Sequence, residues 1–225
     1  MDQTGALPLT RSNAPCPAMR LRERLIRIAL WSIVAVLLAA CSDPRPTLPS
    51  LAGDAVVLAF GDSLTRGPGA ARGAGYPEVL AGLIEREVVN AGVPGERSAA
   101  GLARLGAELD RVRPALLLLC HGGNDILRKT DPARTRANLE AMIAQASERD
   151  IAVLLIGVPR PGVFLSTAEL YYDVANATAT PLAEDILAEI LGTATLKSDT
   201  IHPNAAGYRR LAEHLHERLV EFGAL

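Results

Sequence analysis

Ala55-Val56-Val57-Leu58-Ala59-Phe60, followed at once by Gly61-Asp62-Ser63-Leu64, is the stretch whose reading decides the fold. An apolar run of this length that does not alternate with polar residues reads as a strand buried on both faces. Ser63 then stands on the turn leaving that strand, where the backbone is held rigid while side chains face solvent. Gly-Asp-Ser is also ordinary turn chemistry. The serine therefore gains meaning only from what the rest of the chain supplies.

Outward from this stretch, further apolar runs read as strands at Val88 to Ala91, Ala115 to Cys120 and Ile151 to Gly157, with a weaker one near Ala194 to Leu196. Between and after them, residues 76–86, 98–111, 133–149, 168–191 and 204–222 carry helical patterns. The last is the clearest: Ala205, Tyr208, Leu211, Ala212, Leu215, Leu219 and Phe222 recur at intervals of three and four, with charged residues between them. Buried strands separated by amphipathic helices imply a parallel sheet covered on both faces. The expected fold is a three-layer, doubly wound α/β/α sandwich on a five-stranded parallel sheet.

The first forty residues are of another kind. Residues 1–18 are polar and proline-spotted, then Arg20, Arg22, Arg24 and Arg27 precede thirteen residues without a charge, Ile28 to Ala40. A basic flank, a short apolar run and small residues read as a secretory signal, and the run is short for a membrane span. Leu38-Ala39-Ala40-Cys41 resembles the lipobox of bacterial lipoproteins, which implies lipidation of Cys41. The expected organisation is a signal peptide with an N-terminal extension over 1–40, a lipidated cysteine and proline-rich extended tether over 41–52, and one domain over 53–225. Two acyl attachments on Cys41 would suffice for stable anchoring, with the domain exported and facing the periplasm or exterior. Of the three cysteines only Cys120 falls in the domain, so no disulfide framework is expected there. With 23 Lys and Arg against 25 Asp and Glu, and no basic block after residue 30, nucleic acid is not an expected partner.

In a doubly wound sheet the ligand site lies beyond the carboxyl ends of the strands. Ser63 follows the first strand, the turn Asn90-Ala91-Gly92-Val93-Pro94-Gly95-Glu96 the second, His121-Gly122-Gly123-Asn124-Asp125 the third, and Asp199-Thr200-Ile201-His202-Pro203 the expected fifth. A neutral serine needs a base to take its proton, which His202 can supply near neutral pH. Asp199 can accept from the other ring nitrogen and fix the tautomer. Attack on an acyl carbon places charge on its oxygen, for which the Ser63 and Gly95 N–H groups and the Asn124 amide are candidate donors.

With these residues in this order, the chain resembles the SGNH hydrolases, also called GDSL esterases, in the branch of periplasmic acyl thioesterases, arylesterases and lysophospholipases. Gly61-Asp62-Ser63-Leu64, Gly95, Gly122-Gly123-Asn124-Asp125 and Asp199 to His202 correspond to the family's blocks, over about residues 55–220. The resemblance implies a flavodoxin-like fold, Ser63 as nucleophile, His202 and Asp199 as base and orienting acid, Gly95 and Asn124 as oxyanion donors, and no cofactor. Two departures stand out: Gly95-Glu96-Arg97 where this branch usually has Gly-Asp-Thr, and His121 ahead of the glycines.

Other residues receive structural readings. Asp62 and Asp125 are expected to hydrogen-bond nearby loop backbone, and His121 to be a hydrogen-bonded structural histidine. Cys120 reads as a small buried hydrophobe. His214 and His216, two apart on a helix, cannot share a face, and Asp199 with His202 are too few for a metal site. Ile126, Leu127, Val158 and Phe164 are candidates for an acyl groove. The function expected is hydrolysis of a small-molecule acyl ester or thioester through an acyl-enzyme on Ser63. A carbohydrate O-deacetylase of the same superfamily and a non-catalytic envelope lipoprotein are the alternatives.

Overall fold

The computed structural model describes residues 46–225. The signal segment, Cys16, Cys41 and the start of the tether lie outside the described residues. The first strand, β1 (Val57–Gly61), is buried throughout, as its unbroken apolar sequence requires. It is followed by a one-turn helix α1 (Ser63–Arg66), then α2 (Tyr76–Ile84), β2 (Val88–Gly92), α3 (Ser98–Val112) and β3 (Leu116–Cys120). A short α4 (Gly123–Leu127), α5 (Pro132–Ser147) and β4 (Ala152–Ile156) come next, then a small hairpin of β5 (Pro159–Arg160) and β6 (Ser166–Thr167). The chain closes with α6 (Glu169–Thr178), β7 (Leu182–Ala183), α7 (Ile186–Gly192), a 3-10 turn (Ala194–Leu196) and α8 (Ala205–Glu221).

The main sheet is parallel and five-stranded, in the order β2-β1-β3-β4-β7. Helices α2 and α8 pack together on one side, and α3, α5 and α6 pack on one another on the other. This is the doubly wound α/β/α architecture expected. Its register places the site: Gly61 is level with Gly92 on one side and Cys120 on the other, so three strands end flush and their following loops emerge together.

Two expectations are corrected. The fifth strand is β7, inside the stretch read as one long helix over 168–191, while Ala194–Leu196 is a 3-10 turn. Ala179 ends α6 with φ at 51°, and Pro181, which has no N–H to continue a helix, leads into β7. A strand of two residues, bonded through Leu155 N–H to Pro181 O and Gly157 N–H to Ala183 O, is too short to show a period.

The stretch just before residue 53 also packs with the domain, within the compact unit Pro46–Leu225. From Pro46 on, the proline-rich segment lies on the domain. Leu48 N–H donates to Phe222 O and Leu51 N–H to Ala224 O, each at 2.8 Å, and both leucine side chains are buried. Arg86 donates to Leu51 O and Ala52 O at 3.0 and 2.8 Å, fastening the strap from the α2 side. Replacing Leu48 and Leu51 by alanine should each cost about 2 kcal/mol. The check is urea unfolding, in which the midpoint should fall with the slope unchanged.

Candidate active site

Ser63 opens α1, directly beyond the end of β1. The carboxylate of Asp62 caps this turn by accepting from Leu64 N–H at 3.0 Å, and Gly67, in the left-handed region, closes it through a bond to Ser63 O. The Ser63 Oγ lies 3.0 Å from His202 Nε2, and His202 Nδ1 lies 2.8 Å from Asp199 Oδ2. With Nδ1 facing a carboxylate, that nitrogen carries the proton, and Nε2 is left to accept from the serine hydroxyl.

Asp199 is itself held. Its Oδ1 accepts from the N–H groups of Ile201 and His202 at 2.8 and 2.9 Å. The bond from His202, with these two backbone bonds, keeps its carboxyl below the usual carboxylate value. The loop carrying both residues is cinched by Ser198 N–H to His202 O at 2.9 Å and by an isolated bridge between Lys197 and Pro203. Asn204 then caps α8, its Oδ1 accepting from Gly207 N–H while its Nδ2 donates to Thr195 O and Lys197 O. This loop was expected to follow a strand; it follows the 3-10 turn.

Among the described residues, the N–H groups of Ser63 and Gly95 donate to no acceptor in the protein. Gly95 has φ at 77°, a conformation that a residue with a Cβ adopts only with strain. Asn124 Nδ2 donates to Asp62 Oδ2 and to Glu96 O, both at 3.1 Å. Both amide hydrogens are thus engaged, so a substrate oxygen would have to share or displace one of these bonds. Asp62, expected to bond loop backbone, does so through Leu64 and in addition orients Asn124. Burial pushes its carboxyl up, against the bonds from Leu64 and Asn124. Asp125 accepts from Ser98 N–H and Ser98 Oγ–H at 2.7 and 2.9 Å, tying α4 to the start of α3.

The two departures seen in the sequence, at Glu96 and His121, meet in the structure. His121 is fully buried; its Nδ1 accepts from Gly122 N–H at 2.9 Å, so Nε2 carries the proton it offers to Glu96 Oε2 at 3.1 Å. Arg104 grips the same carboxylate through Nε and Nη2 at 2.8 Å, donates to Ala91 O at 2.9 Å, and lies 4.0 Å above the Phe60 ring. A Cβ on Gly101 would collide with the His121 imidazole, so α3 can press this close only with glycine there. Burial alone would raise the Glu96 carboxyl, but the bonds from Arg104 and His121 together outweigh it and hold it below the usual value. Since Glu96 O is an acceptor for Asn124, this cluster fixes the loop that carries Gly95 and helps to orient the Asn124 amide from α4.

A cleft beside Ser63 and His202 is lined by Leu64, Ile126, Leu127, Val158, Pro159, Leu165, Leu191 and Ile201. Ile126, Leu127 and Val158 are where the sequence put them. Phe164 is corrected: it does not line the cleft and is 89% exposed at the hairpin tip, while its neighbour Leu165 faces the cleft. The tip is a bend over residues 161–164, outside the regular alternation of a strand, and the sequence holds no signal for which side chain faces inward. Leu191 and Ile201 were also missed, because they reach the cleft from α7 and the histidine loop. Cys120 is buried, and burial pushes its thiol up, as fits a small hydrophobe. No group of three or more potential metal ligands is found among the described residues.

The model of the GDSL-like lipase/acylhydrolase family matches residues 59–210 of this chain. Esterase TesA of Pseudomonas aeruginosa is 33% identical over 192 residues, covering 80% of this chain and 95% of that protein. Thioesterase 1/protease 1/lysophospholipase L1 of Escherichia coli strain K12 is 28% identical over 181 residues, 77% of this chain and 86% of that protein. A crystal structure of TesA superposes with a TM-score of 0.68 at 31% identity, covering 74% of this chain and 99% of that one.

Glu96→Gln tests the buried cluster. A glutamine offers one acceptor oxygen to three N–H donors, and its NH2 would face them, so the loss at pH 7 should be about 1–3 kcal/mol. A lowered folded pKa means that the carboxylate's contribution is complete above its unfolded value near 4.3 and is lost as pH falls through the folded value. The stability gap between wild type and Glu96→Gln, read by chemical unfolding, should therefore shrink below about pH 4.

Proposed function

This chain belongs to the GDSL-like lipase/acylhydrolase family and is a carboxylic ester hydrolase, and from that premise we propose that it cleaves acyl esters or thioesters through a covalent acyl-enzyme on Ser63. The observation that carries the mechanism is the unbroken line Ser63 Oγ, His202 Nε2, His202 Nδ1, Asp199 Oδ2, with contacts of 3.0 and 2.8 Å. His202 takes the hydroxyl proton as Oγ attacks the acyl carbon, and the carbonyl oxygen becomes an oxyanion. The Ser63 and Gly95 N–H groups face it, and Asn124 turns one hydrogen towards it; losing one such donor costs about 3 kcal/mol of transition-state stabilisation. The imidazolium, stabilised by Asp199, returns its proton to the departing alkoxide or thiolate. Water deprotonated by His202 then attacks the acyl carbon, the imidazolium returns that proton to Ser63 Oγ as the ester bond breaks, and the free acid leaves.

The substrate we propose is an ester or thioester of an apolar acyl chain. The cleft wall of Leu64, Ile126, Val158, Leu165 and Leu191 supports this reading over a sugar ester, because an acyl chain gains about 0.8 kcal/mol per methylene buried there while a sugar would lose hydrogen bonds to water. We further propose that the enzyme is exported and held on a membrane through Cys41. The support is the basic flank, the apolar run Ile28 to Ala40 and the Leu38-Ala39-Ala40-Cys41 sequence.

Hydrolysis of p-nitrophenyl esters from acetate to decanoate tests the reaction. Wild type should show an optimum in chain length, and Ser63→Ala should lower kcat by a factor of about 10⁴ or more. A folded wild-type protein that turns over none of the series would refute the general esterase reading. For the anchor, Cys41→Ser should move the protein from the membrane fraction to the soluble fraction on cell fractionation, and unchanged membrane retention would argue against lipidation.

A further inference from the structure

Outside the catalytic cleft, the most exposed large apolar side chains among the described residues are Val163 and Phe164, at 94% and 89%. They occupy the tip of the β5–β6 hairpin, between Pro161 and Leu165, which both line the cleft. The hairpin's stalk is fixed: Thr167 N–H donates to Asp185 Oδ1 at 3.2 Å, and Asp185 N–H to Thr167 Oγ1 at 2.9 Å. The tip is therefore an apolar point on an anchored base at the rim of the cleft. Two further exposed apolar residues, Leu127 and Ile201, stand on the same rim.

The charges beside the tip are mainly positive, with Glu169 and the Thr167-bonded Asp185 as the acids nearest the hairpin. Arg160 is the only charged residue from Gly157 to Ala168. Arg128 and Lys129 are exposed on the neighbouring loop, and Lys129 and Arg160 share a shallow depression with Ile126 and Leu170, whose one acid is Glu169. None of Arg128, Lys129 and Arg160 forms an ion pair among the described residues. An apolar point with unpaired cations beside it matches the chemistry of an anionic lipid–water interface. A second copy of the chain fits less well, since a twofold contact on this patch would bring like charges together.

We propose that the Pro161–Leu165 tip inserts into an anionic lipid surface, with Arg128, Lys129 and Arg160 on the headgroups, so that the mouth of the cleft opens onto the membrane. An amphiphilic ester could then slide its acyl chain from lipid to cleft past Leu127 and Ile201 without entering water. Only that last step rests on the proposed substrate; the membrane contact is independent of turnover and of the anchor at Cys41.

The test uses the full chain with Phe164→Trp. Trp31 is the only tryptophan, so Trp31→Phe removes the background and the new indole reports the tip alone. On phosphatidylethanolamine/phosphatidylglycerol vesicles its emission should shift to the blue and be quenched by lipids brominated on the acyl chain. Lys129→Gln with Arg160→Gln should lower the ratio of inserted to free tip by roughly tenfold or more, and phosphatidylcholine vesicles should behave similarly. Emission that stays water-like and unquenched while the chain sediments with anionic vesicles would overturn the proposal. So would a blue shift without lipid that grows with protein concentration, which would assign the patch to a second copy. In the last arm, Val163→Ser with Phe164→Ser should spare turnover of dissolved p-nitrophenyl acetate and depress turnover of a vesicle-borne long-chain ester. Equal losses on both would make the tip part of the cleft and refute the membrane role. Wild type inactive on both esters would count against the esterase reading and leave the quenching result standing.

Discussion

The parallel register that sets Gly61 level with Gly92 and Cys120 is the constraint on which the site depends. Three strands that end flush release their loops at one edge, so Ser63, Gly95 and Asn124 converge although the chain separates them by more than one helix. Register of this kind is enforced by burial, since β1 and β3 are apolar along their full length and covered on both faces. His202 arrives from outside this frame. Its loop follows no strand, and its position is set by the Lys197–Pro203 bridge, the Asn204 cap and the packing of α8 on α2. The Ser63–His202 contact therefore joins a part of the site built by the sheet to a part built by a helix terminus.

What could be read from the sequence follows the same division. Continuous apolar strands announce themselves, and so did the residues directly after them: Ser63, Gly95, Asn124. Asp199 and His202 were legible through chemistry rather than topology, because an acid and an imidazole three apart before a proline are unusual whatever precedes them. The strand at Leu182–Ala183 was illegible because its pairing is decided by β4 and not by its own two residues. Phe164 misled because apolarity alone does not separate a residue that lines a cleft from one that points away from it. The early docking of Leu48 and Leu51 was hidden for a related reason: prolines imply extended backbone, and extended backbone can still lie on a surface.

Glu96 and His121 were visible only as departures, each without an evident partner. Their pairing depends on Arg104 and Gly101, which lie on one helix and face the ends of two strands. A buried carboxylate costs free energy unless its lone pairs are met, and here Arg104 and His121 meet them. Removing any one member strands the others, so the members function as a unit. The backbone carbonyl of Glu96 bonds Asn124, and this couples the electrostatics of a cluster behind the site to the geometry of a donor within it.

Polarity is divided sharply around Ser63. On the β2 side stand the Ser63 and Gly95 N–H groups, Asn124 and the buried ions that position them; on the hairpin side stand Val158, Pro159 and Leu165. On the proposed mechanism, charge developing on an acyl oxygen is served by fixed dipoles and an acyl chain by dry surface, so the proposed ester would lie with its carbonyl towards one wall and its chain towards the other. Fixed donors need a firm support, and the polar wall is assembled from the flush ends of three paired strands and a largely buried ion cluster. The apolar wall tolerates looser construction, since van der Waals contact does not depend on angle. It is built from a short hairpin and loop residues, and that hairpin is the element left free to present apolar side chains outward.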